Sequence, residues 1–455
     1  MTPRTHAAVL AFACLGVGSA PAHAQSPTDP TERLLSLARI PGVSGHEGDV
    51  RKALSGMLPK AMRTETDSVG NLVLRIGSGA PKTMVSAPLD EPGYVVSGIT
   101  DEGYLRLHRH TTGLAHPLAH EYHLGQPVFI RTTHGDYVNG VTATPSTHLR
   151  ATRIPGTDAT PRTIDDLFVD VGALSREKVA ARGIRMLDAV TLRERTARLA
   201  GSEAAGVAVS ARAGATALVE LANRLGTTRP QGTIILAWTA ESFFGQRGLL
   251  RLIEAEKPDR LIAFTGALAP SKDAMGTVGE TGGGPLIRED DALFATAASA
   301  RALKVQRREK SDLPFSLGRG LDTHVIAIPS RHAQTPAEIV DARDLESAAE
   351  LVAEAIGLGA LGPAARLSPA PEPPPATFAE PDLRLLAGLI RTYGVSTHEE
   401  PVRAEVLRRL PAWAKPEVDA KGNVIVRFGQ GGKRLLFVAH TDEVGFEIAS
   451  INEDG

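Results

Sequence analysis

Hydrophobic residues recur at helical spacing in several parts of the chain. Between residues 46 and 58, Val50, Leu54 and Leu58 fall on one face, which predicts an amphipathic helix. Similar stretches predict further helices at 31–39, 214–225 and 344–358.

Apolar runs of strand length lie between these helices. Thr233–Thr239 and Arg260–Phe264 are continuously apolar, which is typical of strands buried on both faces of a sheet. Shorter β-rich runs occur at 71–76, 83–88 and 324–328. Helices that alternate with such strands predict an α/β fold.

The pattern changes between residues 105 and 193. Helical periodicity fades, Gly, Thr and His become common, and short strands are predicted at 127–132 and 137–142. We therefore predict a small β-domain over 105–193, inserted between two parts of an α/β domain at 29–104 and 194–362.

Part of the chain is repeated. Phe437-Val-Ala-His-Thr-Asp-Glu-Val-Gly445 resembles Val85-Ser-Ala-Pro-Leu-Asp-Glu-Pro-Gly93, and the surrounding sequences align without a gap. A Pro/Ala-rich linker is predicted over 363–382. Residues 383–455 are then expected to be the N-terminal fragment of a second domain of the same kind.

The two copies differ at one chemically important position. His440 of the later copy is an imidazole that can bind a metal ion, whereas its counterpart Pro88 has no donor side chain.

The N-terminus has the features of a secretory signal. Arg4 precedes an apolar run at 7–17, and Ala22-His-Ala24 is a small-residue cleavage site, so residues 1–24 are predicted to be removed and the protein to be periplasmic or secreted. The only cysteine, Cys14, lies in this segment, so no disulfide is expected in the mature chain.

Composition excludes some partners. The net charge is −2, from 50 basic and 52 acidic residues, and gives no reason to expect nucleic acid or an anionic membrane surface as partner. No apolar segment is long enough to predict a membrane span.

Two carboxylates follow predicted strands. Asp90 follows the run at 83–88 and Glu241 follows Thr233–Thr239, so both are expected at the edge of the sheet where ligands bind in open α/β folds. They can equally cap helices or face solvent, and the pattern alone leaves both interpretations open. Seven histidines in the inserted region are interpreted as a solvated, His-rich loop; they are His108, His110, His116, His120, His123, His134 and His148.

Several motifs together resemble a known family. They are Pro41-Gly-Val-Ser-Gly45, Gly70-Asn71, Ala87-Pro-Leu-Asp-Glu-Pro-Gly93, Ile164-Asp-Asp-Leu-Phe-Val-Asp-Val-Gly172, Ala208-Val-Ser-Ala-Arg-Ala-Gly214, Gly245-Gln-Arg-Gly248 and Ile328-Pro-Ser-Arg331 continuing to Glu338. Residues 29–362 resemble one whole module of the glutamyl-aminopeptidase and cellulase M-like metallo-aminopeptidases, which include the tetrahedral TET peptidases. The resemblance implies a zinc-peptidase-like α/β/α domain with an inserted β-barrel lid.

The resemblance also implies a site with two divalent metal ions and their ligands. In the first module the residues at the ligand positions are Pro88, Ser210, Ser242, Thr265 and Gln334, none of which is the family's ligand. Asp90 remains in the position that orients a histidine, and Glu241 in that of the general base. One further histidine, His332, cannot restore the set. No metal is therefore expected in the first module.

The second module retains the beginning of this site. His440 matches a metal ligand, and Asp442 matches the residue that orients it. A divalent metal, zinc or cobalt, is expected only in a complete second module, whose other ligands would lie beyond Gly455.

Two functions stay open. The first is an exported aminopeptidase that hydrolyses N-terminal residues from peptides, with an inactive first module. The second is a pseudopeptidase that binds peptides or acts as an oligomer scaffold. Peptides are the expected partners, and homo-oligomers or pairing of the two modules within one chain are compatible with both functions.

Overall fold

A computed structural model describes most of the chain after residue 28. The described residues are 29–109, 117–143, 163–193, 195–225, 230–265, 277–313, 315, 317, 320–362, 381–432, 434–446 and 448–451. The predicted signal segment 1–24 and nearly all of the predicted linker 363–382 lie outside them. The chain divides into two compact units, Met1–Pro373 and Pro374–Gly455.

The first unit contains seven α-helices within the described residues. They are α1 (Pro30–Ala38), α2 (Gly48–Met57), α3 (Arg176–Ala181), α4 (Val209–Arg224), α5 (Arg247–Glu256), α6 (Ala292–Arg301) and α7 (Ala342–Ala355). The helices predicted at 31–39, 46–58 and 344–358 correspond to α1, α2 and α7.

The strands of this unit are β1 (Thr64–Thr66), β2 (Leu72–Gly77), β3 (Lys82–Pro88), β4 (Tyr94–Ile99), β5 (Leu105–Arg109), β6 (Pro127–Arg131), β7 (Tyr137–Ala143), β8 (Phe168–Asp170), β9 (Ala189–Leu192), β10 (Thr196–Arg198), β11 (Glu203–Gly206), β12 (Thr233–Thr239), β13 (Arg260–Phe264), β14 (Leu286–Arg288), β15 (Gln306–Arg308), β16 (Asp322–Ala327) and β17 (Glu338–Asp341).

An eight-stranded sheet forms the centre of the first unit. Its order is β1-β2-β12-β3-β13-β16-β14-β15, and the four middle strands β12, β3, β13 and β16 are parallel. Helices α1, α2, α4, α6 and α7 bury apolar residues on one face, and α5 does so on the other. The predicted α/β fold is confirmed, and β12 and β13 have the bounds of the two continuous apolar runs.

The inserted domain is a closed β-barrel of order β4-β5-β8-β7-β6-β9. Its first strand begins at Tyr94, so the predicted start at residue 105 is wrong. Tyr94 and Val96 belong to the barrel core. Their apolar run has the same pattern as a strand of the central sheet, so the sequence did not show that the barrel begins here.

Two other sequence predictions need correction. Helix α4 begins at Val209 and not at Gly214. Gly214 lies inside the helix, where α4 approaches β13, and a Cβ there would lie 3.1 Å from the Cβ of Phe264.

Part of the predicted His-rich loop, Pro117–His123, is a 3-10 helix. Tyr94 anchors it, since its hydroxyl lies 2.9 Å from Nδ1 of His120. His110, His116 and His148 lie outside the described residues.

A buried cluster of charges lies where the chain enters and leaves the barrel. Glu91 accepts from Arg195 at 2.5 Å and from Arg212 of α4 at 3.1 Å, and all three side chains are almost completely buried. Arg212 also donates to the carbonyl oxygens of Leu89 and Ile40. Burial lowers the pKa of Arg212. The cluster joins both crossing segments to α4.

The second unit contains α8 (Pro381–Ile390), α9 (Glu400–Arg409) and a hairpin of β18 (Pro416–Val418) and β19 (Val424–Val426). Many of its apolar side chains are exposed; they include Leu435, Leu436, Phe437, Val438, Val444, Phe446, Ile448 and Ile451. In the part of the chain that the structure describes, no helix is both long and apolar enough to cross a membrane.

Candidate functional site

Several predicted site residues lie at or just after the carboxyl ends of the parallel strands. Pro88 ends β3 and pairs with Thr239, the last residue of β12. Thr265 follows β13, and its amide donates to the carbonyl of Ile326 in β16 at 3.0 Å. The topology therefore brings these positions to one edge of the sheet, as expected for an open α/β fold.

Asp90 is buried and held by three donors. Ser44 Oγ donates to Oδ2 at 2.5 Å, Ser242 Oγ donates to Oδ1 at 2.6 Å, and the amide of Phe243 donates to Oδ2 at 3.2 Å. Burial raises the pKa of Asp90 above its ordinary value, although these hydrogen bonds act in the opposite direction. Protein groups thus occupy both oxygens of the carboxylate.

Glu241 begins the loop that contributes to this arrangement. Its φ is +55°, a conformation unusual for a residue other than glycine. Its amide donates to Glu47 Oε1 at 2.9 Å, whereas its own carboxylate pairs with Arg247 at 2.9 Å. The contacts that this loop makes with Asp90 come from the two residues that follow Glu241.

Glu47 was missed by the sequence analysis. It directly precedes α2, and its Oε1 also accepts from the amide of Gly45 at 2.8 Å. Burial raises its pKa, and the nearby charge of Asp90 acts in the same direction. In the sequence, Glu47 could have been indicated by its position just after Ser44-Gly45 of the family motif.

A second buried carboxylate, Glu338, joins two of the predicted ligand positions. Its Oε2 accepts from the amide of Ser210 at 3.1 Å and from its hydroxyl at 2.8 Å. Its Oε1 accepts from the amide of Gln334 at 2.8 Å. Burial raises the pKa of Glu338. Ser210 and Gln334 therefore lie together, joined by a protein carboxylate.

The one further histidine considered as a replacement ligand is His332. It lies in the loop after β16, is half-buried and has a φ of +53°. No group of three or more His, Cys, Asp or Glu side chains is arranged to hold a metal ion within the described ranges.

Comparison with known proteins identifies the family. The sequence model of the M42 glutamyl aminopeptidases matches residues 70–351, which is more than half of the chain. The chain belongs to the M42 family.

Individual M42 relatives are similar over the same part of the chain. The putative aminopeptidase FrvX of Escherichia coli is 27% identical over 342 residues, which are 70% of this chain and 93% of that protein. The lysyl aminopeptidase of Pyrococcus furiosus is 27% identical over 337 residues, covering 70% and 94% of the two chains.

Solved structures show the same fold. An aminopeptidase of Desulfurococcus kamchatkensis has a TM-score of 0.63 at 25% identity and covers 74% of this chain and 96% of its own. The TET1 peptidase of Pyrococcus horikoshii has a TM-score of 0.62 at 24% identity, with coverages of 72% and 99%. That peptidase assembles into a tetrahedron or an octahedral shell, and a related structure, PhTET1-12s, is a dodecamer.

The M42 family is metal-dependent, so the donors of the first unit can be tested against a metal. Ligands for catalytic metals are imidazole nitrogens and carboxylate oxygens. Pro88 offers no donor atom, and the hydroxyls of Ser210 and Ser242 already donate to carboxylates. These residues do not fit the metal site of the family.

The second unit contains the unaltered form of one motif. Nδ1 of His440 lies 3.2 Å from Oδ1 of Asp442 and 3.0 Å from its carbonyl oxygen. Ser396 Oγ donates to Oδ2 of Asp442 at 2.7 Å, and this hydrogen bond lowers the pKa of Asp442. Asp442 and His440 thus contact each other, and both side chains are accessible to solvent.

Proposed function

We propose that residues 29–362 form a non-hydrolytic M42 unit and that the family reaction belongs to the copy containing His440 and Asp442. That reaction is the removal of N-terminal residues from peptides. One observation carries the proposal: at two ligand positions of the first unit, serine hydroxyls donate to the buried carboxylates Glu338 and Asp90. A hydroxyl that donates in this way does not replace a charged metal ligand.

In the second copy, His440 would bind a divalent metal, zinc or cobalt, and Asp442 would orient its imidazole. Such a metal supplies an activated water for peptide hydrolysis. The sequence features at residues 1–24 support an exported protein that acts on peptides in the periplasm or outside the cell.

A second candidate is an oligomer scaffold without hydrolysis. It is favoured by the assemblies of the similar TET structures, a dodecamer and a tetrahedral or octahedral shell. In this case the first unit would contribute subunit contacts, and light scattering of the full chain would give a mass of several chains.

Metal content and hydrolysis of the full chain test the two candidates. The protein is dialysed against zinc or cobalt, analysed for bound metal and assayed with leucyl, glutamyl and lysyl p-nitroanilides. In a chain that also carries the other ligands of the second copy, we expect metal and activity to be lost in His440→Ala and unchanged in the control Gln334→Ala, whose side chain is exposed.

Each result decides between the proposals. Metal or activity that persists in His440→Ala would show that the first unit is a working site and would overturn the proposal. Wild-type protein that is free of metal, inactive and oligomeric would favour the scaffold.

A further inference from the structure

The barrel contacts the α/β domain through a three-residue cluster at Asp49 of α2. Arg131 of β6 donates to Asp49 through Nε to Oδ2 at 2.6 Å and through Nη2 to Oδ1 at 2.9 Å. The hydroxyl of Tyr137 in β7 donates to the same Oδ2 at 2.7 Å. Two neighbouring barrel strands therefore converge on one carboxylate.

The geometry distinguishes this cluster from an ordinary surface ion pair. Its guanidinium–carboxylate pair is bidentate, and the side chains of Arg131 and Asp49 are only 24% and 30% exposed. The guanidinium lies 5.8 Å from the ring centroid of Tyr137, which packs edge-to-face on Phe129 at 5.4 Å. Contacts within the barrel thus orient the side chains of Arg131 and Tyr137, which both donate to Asp49.

The same helix end contacts the candidate site. Glu47, two residues before Asp49, accepts from the amide of Glu241. Ser242 and Phe243, the next two residues, donate to Asp90. A continuous series of hydrogen bonds and covalent bonds therefore connects β6 and β7 of the barrel with the buried Asp90.

Glu241 makes this connection sensitive to small displacements. Its backbone has a φ of +55°, and a residue other than glycine keeps such a conformation only where its surroundings enforce it. The bond from its amide to Glu47 is one of these constraints. A shift of the first turn of α2 would weaken that bond and release the loop.

We propose that Asp49 is a positioning residue that couples the location of the barrel to the conformation of the Glu241–Phe243 loop. While Arg131 and Tyr137 hold Asp49, α2 keeps Glu47 in place and the loop stays closed on Asp90. When the barrel moves away, the loop loses its support. This coupling is independent of whether the site binds metal.

Hydrogen exchange of the full chain, measured by mass spectrometry, tests the coupling. We expect residues 240–245 to exchange about tenfold faster in Asp49→Ala, and less than that in Tyr137→Phe, which keeps the ion pair. Strand β12, which directly precedes the loop, is expected to exchange at the wild-type rate. Asp101→Ala is the matched control, because it removes an exposed barrel ion pair with Arg176 that lies 3.1 Å apart, and it should change neither segment.

The outcomes separate coupling from simple anchoring. Faster exchange in β6 and β7 with unchanged exchange at 240–245 would overturn the proposal, as would no change in any segment. If Asp49→Ala also accelerates β12, the milder Tyr137→Phe decides: faster exchange confined to 240–245 supports the coupling, and unchanged exchange there overturns it.

Discussion

Two regions of the molecule repeat the same hydrogen bonds in different surroundings. Ser44 donates to Asp90 at 2.5 Å, and Ser396 donates to Asp442 at 2.7 Å. The amide of Gly45 donates to Glu47 at 2.8 Å, as the amide of Thr397 does to Glu399, also at 2.8 Å. These bonds join residues that occupy matching places in the two aligned sequences.

The regions differ in what covers them. In the first unit β3 lies between β12 and β13, and α4 packs against it, so Asp90 and Glu91 are buried. In the second unit the matching Asp442 is only partly buried and Glu443 is exposed, together with the apolar residues around them. Local sequence therefore determines the hydrogen bonds of the loops, whereas burial comes from strands and helices that lie far away in the chain.

The largest predicted difference concerns the matched glutamates. Glu91→Ala leaves Arg195 and Arg212 buried without their shared carboxylate, and we expect it to lower the free energy of unfolding by about 3–5 kcal/mol. The matched Glu443→Ala removes an exposed side chain and should change it by less than about 0.5 kcal/mol. Urea titration followed by circular dichroism and by the buried Trp238 measures both. Equal effects would refute the role assigned to burial.

A smaller difference is expected for the matched asparagines. Asn71 donates to Asp67 at 2.6 Å and to the carbonyl of Gly248 at 3.0 Å, and accepts from the amide of Ala240 at 2.9 Å. Asn71→Ala should lower the free energy of unfolding by about 2–3 kcal/mol, because the buried amide of Ala240 and carbonyl of Gly248 lose their hydrogen bonds. Asn423, which donates to Asp419 at 2.7 Å, is exposed, and Asn423→Ala should cost less than about 0.5 kcal/mol. The same titration provides the test, and a large effect of Asn423→Ala would contradict the comparison.

The smallest effect concerns pH. Burial raises the pKa of Asp90 above 3.8, whereas the hydrogen bond from Ser396 lowers the pKa of Asp442 below 3.8. Because the native state holds the Asp90 proton more tightly, its contribution to stability should fall as pH rises from 3.8 through its native pKa. The contribution of Asp442 has the opposite sign and should be lost as pH falls through its native pKa.

Carboxyl-carbon NMR titration of the full chain measures both midpoints. Spectra of Asp90→Asn and Asp442→Asn assign the two resonances. A midpoint of Asp90 below that of Asp442 would contradict the explanation by burial.

The sequence predicted best those elements whose pattern is local. The bounds of β12 and β13 follow from two uninterrupted apolar runs, since both faces of these strands are buried. The barrel boundary at Tyr94 was missed because an apolar strand looks the same in a barrel and in a sheet.

The contacts of the candidate site could not be predicted from the sequence. The positions of Ser210 and Gln334 were found through the family resemblance, but the role of Glu338 depends on side chains that meet only after folding. In the same way, the sequence identified Glu241 and could not indicate that its left-handed backbone presents Ser242 to Asp90. The signal segment, the linker and the second copy remain predictions.

The barrel has a consequence for how the chain folds. Strand β3 must find β12 across the whole insertion, and the entropic cost of closing such a loop grows with its length, by about 0.6 kcal/mol for each doubling. Within the barrel, however, the first and last strands are neighbours, with Tyr94 opposite Val190. Once the barrel has closed, the two ends of the insertion are already side by side, and the remaining search between β3 and β12 is much shorter. A barrel that folds early would then speed assembly of the central sheet, because it holds the two ends of the insertion together.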